Sequence, residues 1–463
     1  MMRKFKYMFA QFTFYDRTGI QRILEAQAEK GWLLDKVSNF GWRFRRIEPK
    51  KIHFAVTYFP PASAYDSHPS ERQQDLIDFC DHSGWKLIAT AAQMQIFCNE
   101  QENPVPIETD PMIELENIHK SAKKNYLPAY LSIGALALVQ IALQLGQLIS
   151  FPLTYLSMPT NVFNWLSEII LLAMCLVETV GYFLWYRKAK AAAENGEFVE
   201  TKGHRNTQLI FLGVISASLL VLLLSLEKKI AAVMLVALLS MFGMVFGIWG
   251  IHELLKRNGA STEKNRFMTI GTTVLMTVLV ITLIFGGTIG IMQSDFMKDD
   301  RVVGTYKWEG WEFDIYADEI PLKVEHLMEV DTENYSYEAR PQKSPLLQKV
   351  DYSQRMWGIS DKPDLSYTVY TTDLPFIRDI VRKELLKPGD YVSEIDEAGN
   401  EYYDIYVMVD AAPWGAMEAW QQVCLDYAYR DYVLFFEGSI VHIRPGWDMT
   451  VEQMQTAGSI LGK

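Results

Sequence analysis

Cysteine is scarce, with four in 463 residues. That excludes a secreted fold stapled by several disulfides. Strongly basic segments are also missing. Lysine and arginine outnumber aspartate and glutamate by only 1 over residues 1–126 and by 2 over 127–295. Binding a phosphate backbone needs clustered cations, so no direct nucleic-acid contact is expected. Histidines number eight and never fall at i, i+4. His252-Glu253-Leu254-Leu255-Lys256 begins like a zinc-protease helix but has Lys256 where the second histidine is required. Cys80 and Cys98 lack a zinc spacing, and there is no P-loop. Gly286-Gly287-Thr288-Ile289-Gly290 falls inside an apolar run, where it cannot cradle a phosphate. No metal and no cofactor is therefore expected. The basic start, Met1-Met2-Arg3-Lys4, is followed by no long apolar core, so it does not read as a signal peptide.

The dominant feature present is apolar length. Five runs, about 127–149, 162–185, 208–226, 230–250 and 268–292, lack interior lysine or arginine. At ~1.5 Å per residue each covers a hydrocarbon core of ~30 Å. The sequence thus predicts an all-α region of five transmembrane helices over 127–292, embedded in lipid. Five spans place the termini on opposite sides. One set of flanks carries 12 cations: Lys120, Lys123 and Lys124, then Arg187, Lys188, Lys190, Lys202 and Arg205, then Lys256, Arg257, Lys264 and Arg266. The other carries 4: Lys228, Lys229, Lys298 and Arg301. The positive-inside rule then makes the N-terminus cytoplasmic and the C-terminus external.

Residues 1–115 read as a cytoplasmic α+β module with an internal repeat. Phe5, Tyr7 and Phe9 alternate as on a strand, and a helix with Ile20, Ile23, Leu24 and Ala28 on one face ends at Gly31-Trp32. A hairpin through Phe40-Gly41-Trp42 follows. The second copy opens with Ile52, Phe54, Val56 and Tyr58 and inserts a proline-rich loop. Its helix starts at the capping pattern Ser70/Gln73 and ends at Gly84-Trp85. Two strand–helix–hairpin units predict a ferredoxin-like fold with pseudo-two-fold symmetry. Trp32 and Trp85 are expected to plug each helix onto the sheet, with ligand stacking as the alternative.

These residues carry a resemblance. Arg3-Lys4-Phe5-Lys6, Phe14-Tyr15-Asp16, Glu29-Lys30-Gly31-Trp32-Leu33, Phe40-Gly41-Trp42, Ser83-Gly84-Trp85, Gln95-Ile96-Phe97 and Ile107-Glu108-Thr109-Asp110 together resemble the bacterial "domain of unknown function 2812". The likeness covers roughly residues 1–115. It implies no activity and no catalytic residues. Members are common beside PadR-type transcriptional regulators in Gram-positive bacteria, which implies envelope or stress regulation.

Residues 300–463 read as an acidic, extracytoplasmic α+β domain, with −15 over 296–463. Trp308-Glu309-Gly310-Trp311 opens a strand pair, Pro375–Leu386 a helix, and Thr450 with Gln453 caps a last helix. The charge suits solubility or cationic partners. Cys424 is alone there, so no internal disulfide is available.

Polar groups inside the apolar runs are the remaining candidates. Glu168 and Glu178 lie in the second run, and Gln140, Gln144 and Gln147 in the first. An intramembrane carboxylate costs ~2.5–3.5 kcal/mol on insertion scales and marks function by default. The alternative is a hydrogen-bonded tie between spans. Glu168 and Gln144 are expected at similar depth. The leading expectation is a non-enzymatic sensory or regulatory membrane protein, whose cytoplasmic module binds a protein partner or small ligand. Self-association is left open. The rivals are a transport component using Glu178 and the Gln140/Gln144 face, and a membrane-linked enzyme in the outer domain.

Overall fold

The computed structural model describes residues 4–8, 12–38, 41–201, 205–292, 299–358, 362–389, 392–395 and 401–462. Arg3, Phe9, Phe40, Lys202 and Lys298, invoked above, lie outside the described residues. The chain forms two compact units, residues 1–141 with 166–293, and residues 142–165 with 294–463.

The first unit begins with the repeat. One copy comprises β1 (Phe5–Met8), α1 (Arg17–Glu29), β2 (Trp32–Ser38) and β3 (Gly41–Arg46). The other comprises β4 (His53–Tyr58), α2 (Glu71–His82), β5 (Lys86–Ala91) and β6 (Met94–Asn99). Each folds into a three-stranded antiparallel sheet with its last strand in the middle, β1-β3-β2 and β4-β6-β5. Asp16 caps α1 through the Gly19 amide, and Ser70 caps α2 through the Gln73 amide. Both helices are followed by a glycine in the left-handed region, Gly31 at φ +79° and Gly84 at φ +82°. Ile20, Leu24 and Ala28 of α1 bury against Phe44, Phe54 and Val56.

The two tryptophans after those glycines are not equivalent. Trp85 is buried with Cys80 and Phe97, and its Nε1 donates to the Val105 carbonyl at 2.8 Å. Trp32 is only half-buried, with Lys6 and Arg46 over its ring at 5.9 and 5.2 Å. The plug expected at both positions is thus found in the second copy. In the first, the ring flanks the core and stacks with cations.

The helical region starts earlier than its hydropathy suggests. Asp110 caps α3 (Pro111–Ser121), which continues through a π-helical turn (Ala122–Tyr126) into α4 (Leu127–Ser150) as 40 uninterrupted residues. Then come α5 (Pro152–Ser157), α6 (Pro159–Ala193), α7 (Arg205–Ser225), α8 (Lys228–Arg257) and α9 (Thr262–Met292). Among the described residues, four helices are long and apolar enough to cross a membrane: Pro111–Ser150, Pro159–Ala193, Lys228–Arg257 and Thr262–Gly286. The apolar stretch Gln208–Leu224 of α7 is shorter. A Cβ at Gly247 of α8 would meet Met276 of α9 at 3.2 Å, whereas one at Gly243 would meet nothing within 4 Å.

The repeat bonds to two interhelical connections. Thr18 and Thr201 exchange hydrogen bonds, Thr201 N to Thr18 Oγ1 at 2.9 Å and Thr18 N to Thr201 Oγ1 at 3.1 Å. The proline-rich loop meets the α8–α9 connection, with Thr262 Oγ1 donating to Asp66 at 2.7 Å and Asn265 Nδ2 to the Tyr65 carbonyl at 3.0 Å. Lys36 of β2 pairs with Glu253 of α8.

The second unit is built on a seven-stranded antiparallel sheet. Its strands, in chain order after the hairpin β7 (Val302–Trp308) and β8 (Trp311–Tyr316), are β9 (Ser336–Lys343), β10 (Gln348–Arg355) and β11 (Leu365–Thr371), then β14 (Ile405–Val409), β15 (Glu418–Cys424), β16 (Tyr427–Phe435) and β17 (Ile440–Pro445). A separate hairpin, β12 (Val392–Ile395) with β13 (Glu401–Tyr403), precedes β14. The order is β14-β15-β16-β17-β11-β10-β9. Alternation along β16 sends Val433 and Phe435 to a cluster with Ile377, Val381 and Leu385 of α10 (Pro375–Leu385). It sends Leu434 to a cluster with Ala457 and Leu461 of α11 (Val451–Leu461). The sheet is therefore covered on both faces. Residues 151–157 belong to this unit: Leu156 buries in the α10 cluster, and Ser157 Oγ donates to Gln342 at 2.7 Å.

Two substitutions test these placements. Trp85→Ala should cost about 3–5 kcal/mol, and Trp32→Ala clearly less; equal losses in thermal unfolding would contradict the unequal burial. At Gly458 an added Cβ meets the Trp414 carbonyl oxygen at 1.8 Å. Gly458→Ala should therefore loosen α11 by about 1–3 kcal/mol or more, seen as a lower melting temperature of the full chain.

Candidate functional site

Two places in the first unit combine buried polar groups with geometry that the fold must maintain. The first is the junction of the module with the helices. The π-helical turn shifts the helical register at Tyr126, and such turns recur at functional positions. Tyr126 is buried, and its hydroxyl donates to Glu178 Oε2 at 2.7 Å. Gln208 Nε2, from α7, donates to Glu178 Oε1 at 2.7 Å. Glu178 is 1% exposed and Gln208 4%. Both carboxyl oxygens thus have a partner, one from the π turn and one from α7. Aromatic rings close the surroundings: Tyr15, Tyr130 and Tyr182 lie 6.3, 4.9 and 5.9 Å from the Tyr126 centroid. His119 Nδ1 lies 2.7 Å from the Tyr182 hydroxyl.

The other intramembrane candidates do not join this network. Gln144 is buried and accepts from the Tyr155 hydroxyl at 2.9 Å, which accepts in turn from Trp165 Nε1 at 2.6 Å. Glu168 is half-buried, and Gln140 is exposed on α4.

The second place is a cleft at the free edge of β4, which pairs only with β6. Two cavities, about 570 and 370 Å³, meet at Thr57, Ile107 and Glu108. Arg17 opens α1 and Glu114 lies in the first turn of α3; their Nε and Oε1 are 2.6 Å apart and both side chains are nearly buried. Glu108 reaches the same spot on the segment leading to α3. Its carboxyl is pushed from 4.5 up to about 8, chiefly by burial, then by the Glu114 charge, with Arg17 opposing. Arg17 also lies over the ring of Phe198 in the α6–α7 connection, at 5.8 Å.

In the second unit, His442 Nε2 lies 2.7 Å from Asp431 Oδ1, and the Tyr406 hydroxyl donates to the same oxygen at 2.9 Å. No serine or cysteine is hydrogen-bonded to His442 among the described residues, so this is not a nucleophilic triad. No group of three or more histidine, cysteine or acidic side chains is placed to hold a metal among the described residues.

Sequence reasoning found Glu178 but missed Tyr126 and Gln208, which stand at the ends of apolar runs and look like ordinary interfacial residues. It quoted Glu108 only for the resemblance. Arg17, Thr57 and Glu114 gave no local signal, because they are spread over 98 positions and only the fold unites them.

The raised carboxyl sets a pH dependence. Between pH 4.5 and about 8 the folded chain keeps a proton on Glu108 that the unfolded chain releases. Stability from this group is highest at acid pH and falls as pH rises through that window, by at most about 1.4 kcal/mol per unit. Glu108→Gln should remove that fall; an unchanged slope of melting temperature against pH would contradict the assignment.

No curated protein and no solved structure matches the chain. Residues 17–130, from α1 through the first turn of α4, match the family model described as Protein of unknown function (DUF2812).

Proposed function

We propose that this chain is a non-enzymatic, multi-pass membrane protein with a sensory or regulatory role. In this reading the N-terminal module is cytoplasmic and ferredoxin-like in its paired repeats, and it takes a small ligand or protein partner. Five helices cross the bilayer: the four long ones and α7, whose 21 residues reach ~30 Å at ~1.5 Å each. The acidic C-terminal domain lies outside, in keeping with a Gram-positive envelope, and self-association remains compatible with the arrangement.

The observation that carries the proposal is the Tyr126–Glu178–Gln208 junction. It joins the last turn of the module to two membrane helices through one buried carboxyl. A change in the module that moves the π turn must remake those bonds or drag α6 and α7 with it. The topology is supported by the 12-to-4 cation bias and by bonding. The module binds the α6–α7 and α8–α9 connections, both in the cation-rich set, while residues 151–157 pack in the C-terminal unit. Transport is the rival reading, and Glu178 is already held by two partners, Tyr126 and Gln208.

Two experiments follow. Reporters fused after Lys463 and after Asp110 should be active on opposite faces of the membrane, the first outside; activity on one face would sink the five-span topology. For the junction, the purified chain in proteoliposomes should pass no protons. Glu178→Gln should melt near the parent, and Glu178→Leu lower by about 0.6–2 kcal/mol, the range for hydrogen bonds between spans. A proton flux abolished by Glu178→Gln would move the protein to the transport class.

A further inference from the structure

We propose that the cleft at the β4 edge binds a small organic cation, an ammonium or amidinium on an apolar body, with the Glu108 carboxylate as counter-ion. This rests on the sensory reading of the module and names its ligand class.

The first argument is charge. The smaller cavity is lined by Glu102, Glu108 and Glu114 against a single cation, Arg17. Arg17 is already held by Glu114 at 2.6 Å. Glu108 hydrogen-bonds to Glu114 and shares Arg17 with it, so two acids face one guanidinium, and a bound cation would supply a second positive charge. A charge-assisted hydrogen bond in such surroundings is short and about twice as strong as a neutral one.

The second argument is independent of the acids. Thr57 is 4% exposed, its Oγ1 has no hydrogen-bond partner, and it lines both cavities. His53, on the same face of β4 two pleats away, has an unpartnered buried Nε2 and lines the smaller cavity. Buried polar atoms without partners cost about 1–3 kcal/mol each, and native folds keep few of them without a reason. An ammonium beside Thr57 can satisfy the hydroxyl and the Glu108 carboxylate together, while His53 lies four residues, ~13 Å, further along the strand. Ile107, Pro106 and Trp85 supply the apolar wall for its body.

Specificity follows from the same groups. An anion meets three carboxyls; a neutral isostere can use Thr57 but brings no second positive charge to the two acids. When the cation binds, Glu108 gives up the proton it otherwise keeps, so binding releases a proton to solvent. The other charged and titratable groups around Glu108 are Arg17, His53, Glu102 and Glu114 in the same cavity, and Asp110, Arg72 and Lys120 in its neighbour.

The test uses the detergent-solubilised full chain and three probes of one shape: benzylamine, benzyl alcohol and benzoate. Calorimetric titration should show saturable benzylamine binding, at least about tenfold tighter than benzyl alcohol, the least a charge-assisted bond contributes. Benzoate should not bind. Glu108→Gln should remove the preference for the amine, and Thr57→Val should weaken it with less effect on its sign. Because Glu108→Gln could perturb the fold, the three-probe ranking on the unmodified chain stands as the primary readout. Equal affinity for amine and alcohol, or no saturable amine binding, overturns the proposal. Preferential benzoate binding overturns the cation class while leaving a ligand-sensing module intact; a proton flux through Glu178 removes the sensory reading without touching this ranking.

Discussion

A carboxyl group buried among apolar helices must be given partners, and most of the first unit can be understood from how Glu178 obtains them. No lysine, arginine or histidine stands in the apolar runs to neutralise it. The two bonds come instead from a phenol and an amide at the margins of other helices, Tyr126 and Gln208. Tyr126 is brought there by the π turn, which changes the register between a polar, module-bound helix and an apolar one. That helix therefore belongs to two environments. Its first turns present Glu114 to the cleft and Ile118 to the module core, and further along it carries exposed apolar residues such as Leu136 and Leu138.

The cleft exists because β4 is an edge strand whose free side is covered by irregular chain rather than by another strand. Residues 102–108 contain two prolines and cannot add a regular ladder. They bring Glu108 against the edge with two cavities beside it. Lys124 shows how local demands override simple counting. It contributes to the cation bias, yet its Nζ donates to the carbonyls of Pro60, Pro61 and Ala62, fixing the proline-rich loop beside the larger cavity. Arg17 and Thr18 then connect the cleft to the α6–α7 connection, at Phe198 and Thr201. Cleft and junction thus lie along one continuous helix, with Glu114 in α3 and Tyr126 in the π turn that extends it.

In the second unit the governing rule is alternation. A sheet covered on both faces needs apolar side chains at odd and even positions alike, and β16 supplies them consecutively with Val433, Leu434 and Phe435. The α11 face approaches so closely that only glycine fits at 458. Leu153 and Leu156, from a segment with no polar periodicity of its own, find their burial in the α10 cluster.

Periodicity, capping patterns and apolar length are local properties, and the sequence determined what depends on them. The doubled strand–helix–strand–strand repeat, the caps at Ser70 and Thr450, the glycines ending α1 and α2, and the long apolar helices were legible because each is specified by residues within one or two turns. Glu178 was legible as an anomaly, since a carboxyl in an apolar run is costly wherever it goes. What only the tertiary structure decided is pairing. Trp32 and Trp85 have the same local signature, yet their burial differs because one lies beside cationic side chains and the other beneath the Val105 segment. The partners of Glu178 and Gln144, and the meeting of Arg17, Thr57, Glu108 and Glu114, join residues far apart in the chain. No window of sequence holds the distances that make them neighbours, because those distances are set by how whole elements pack.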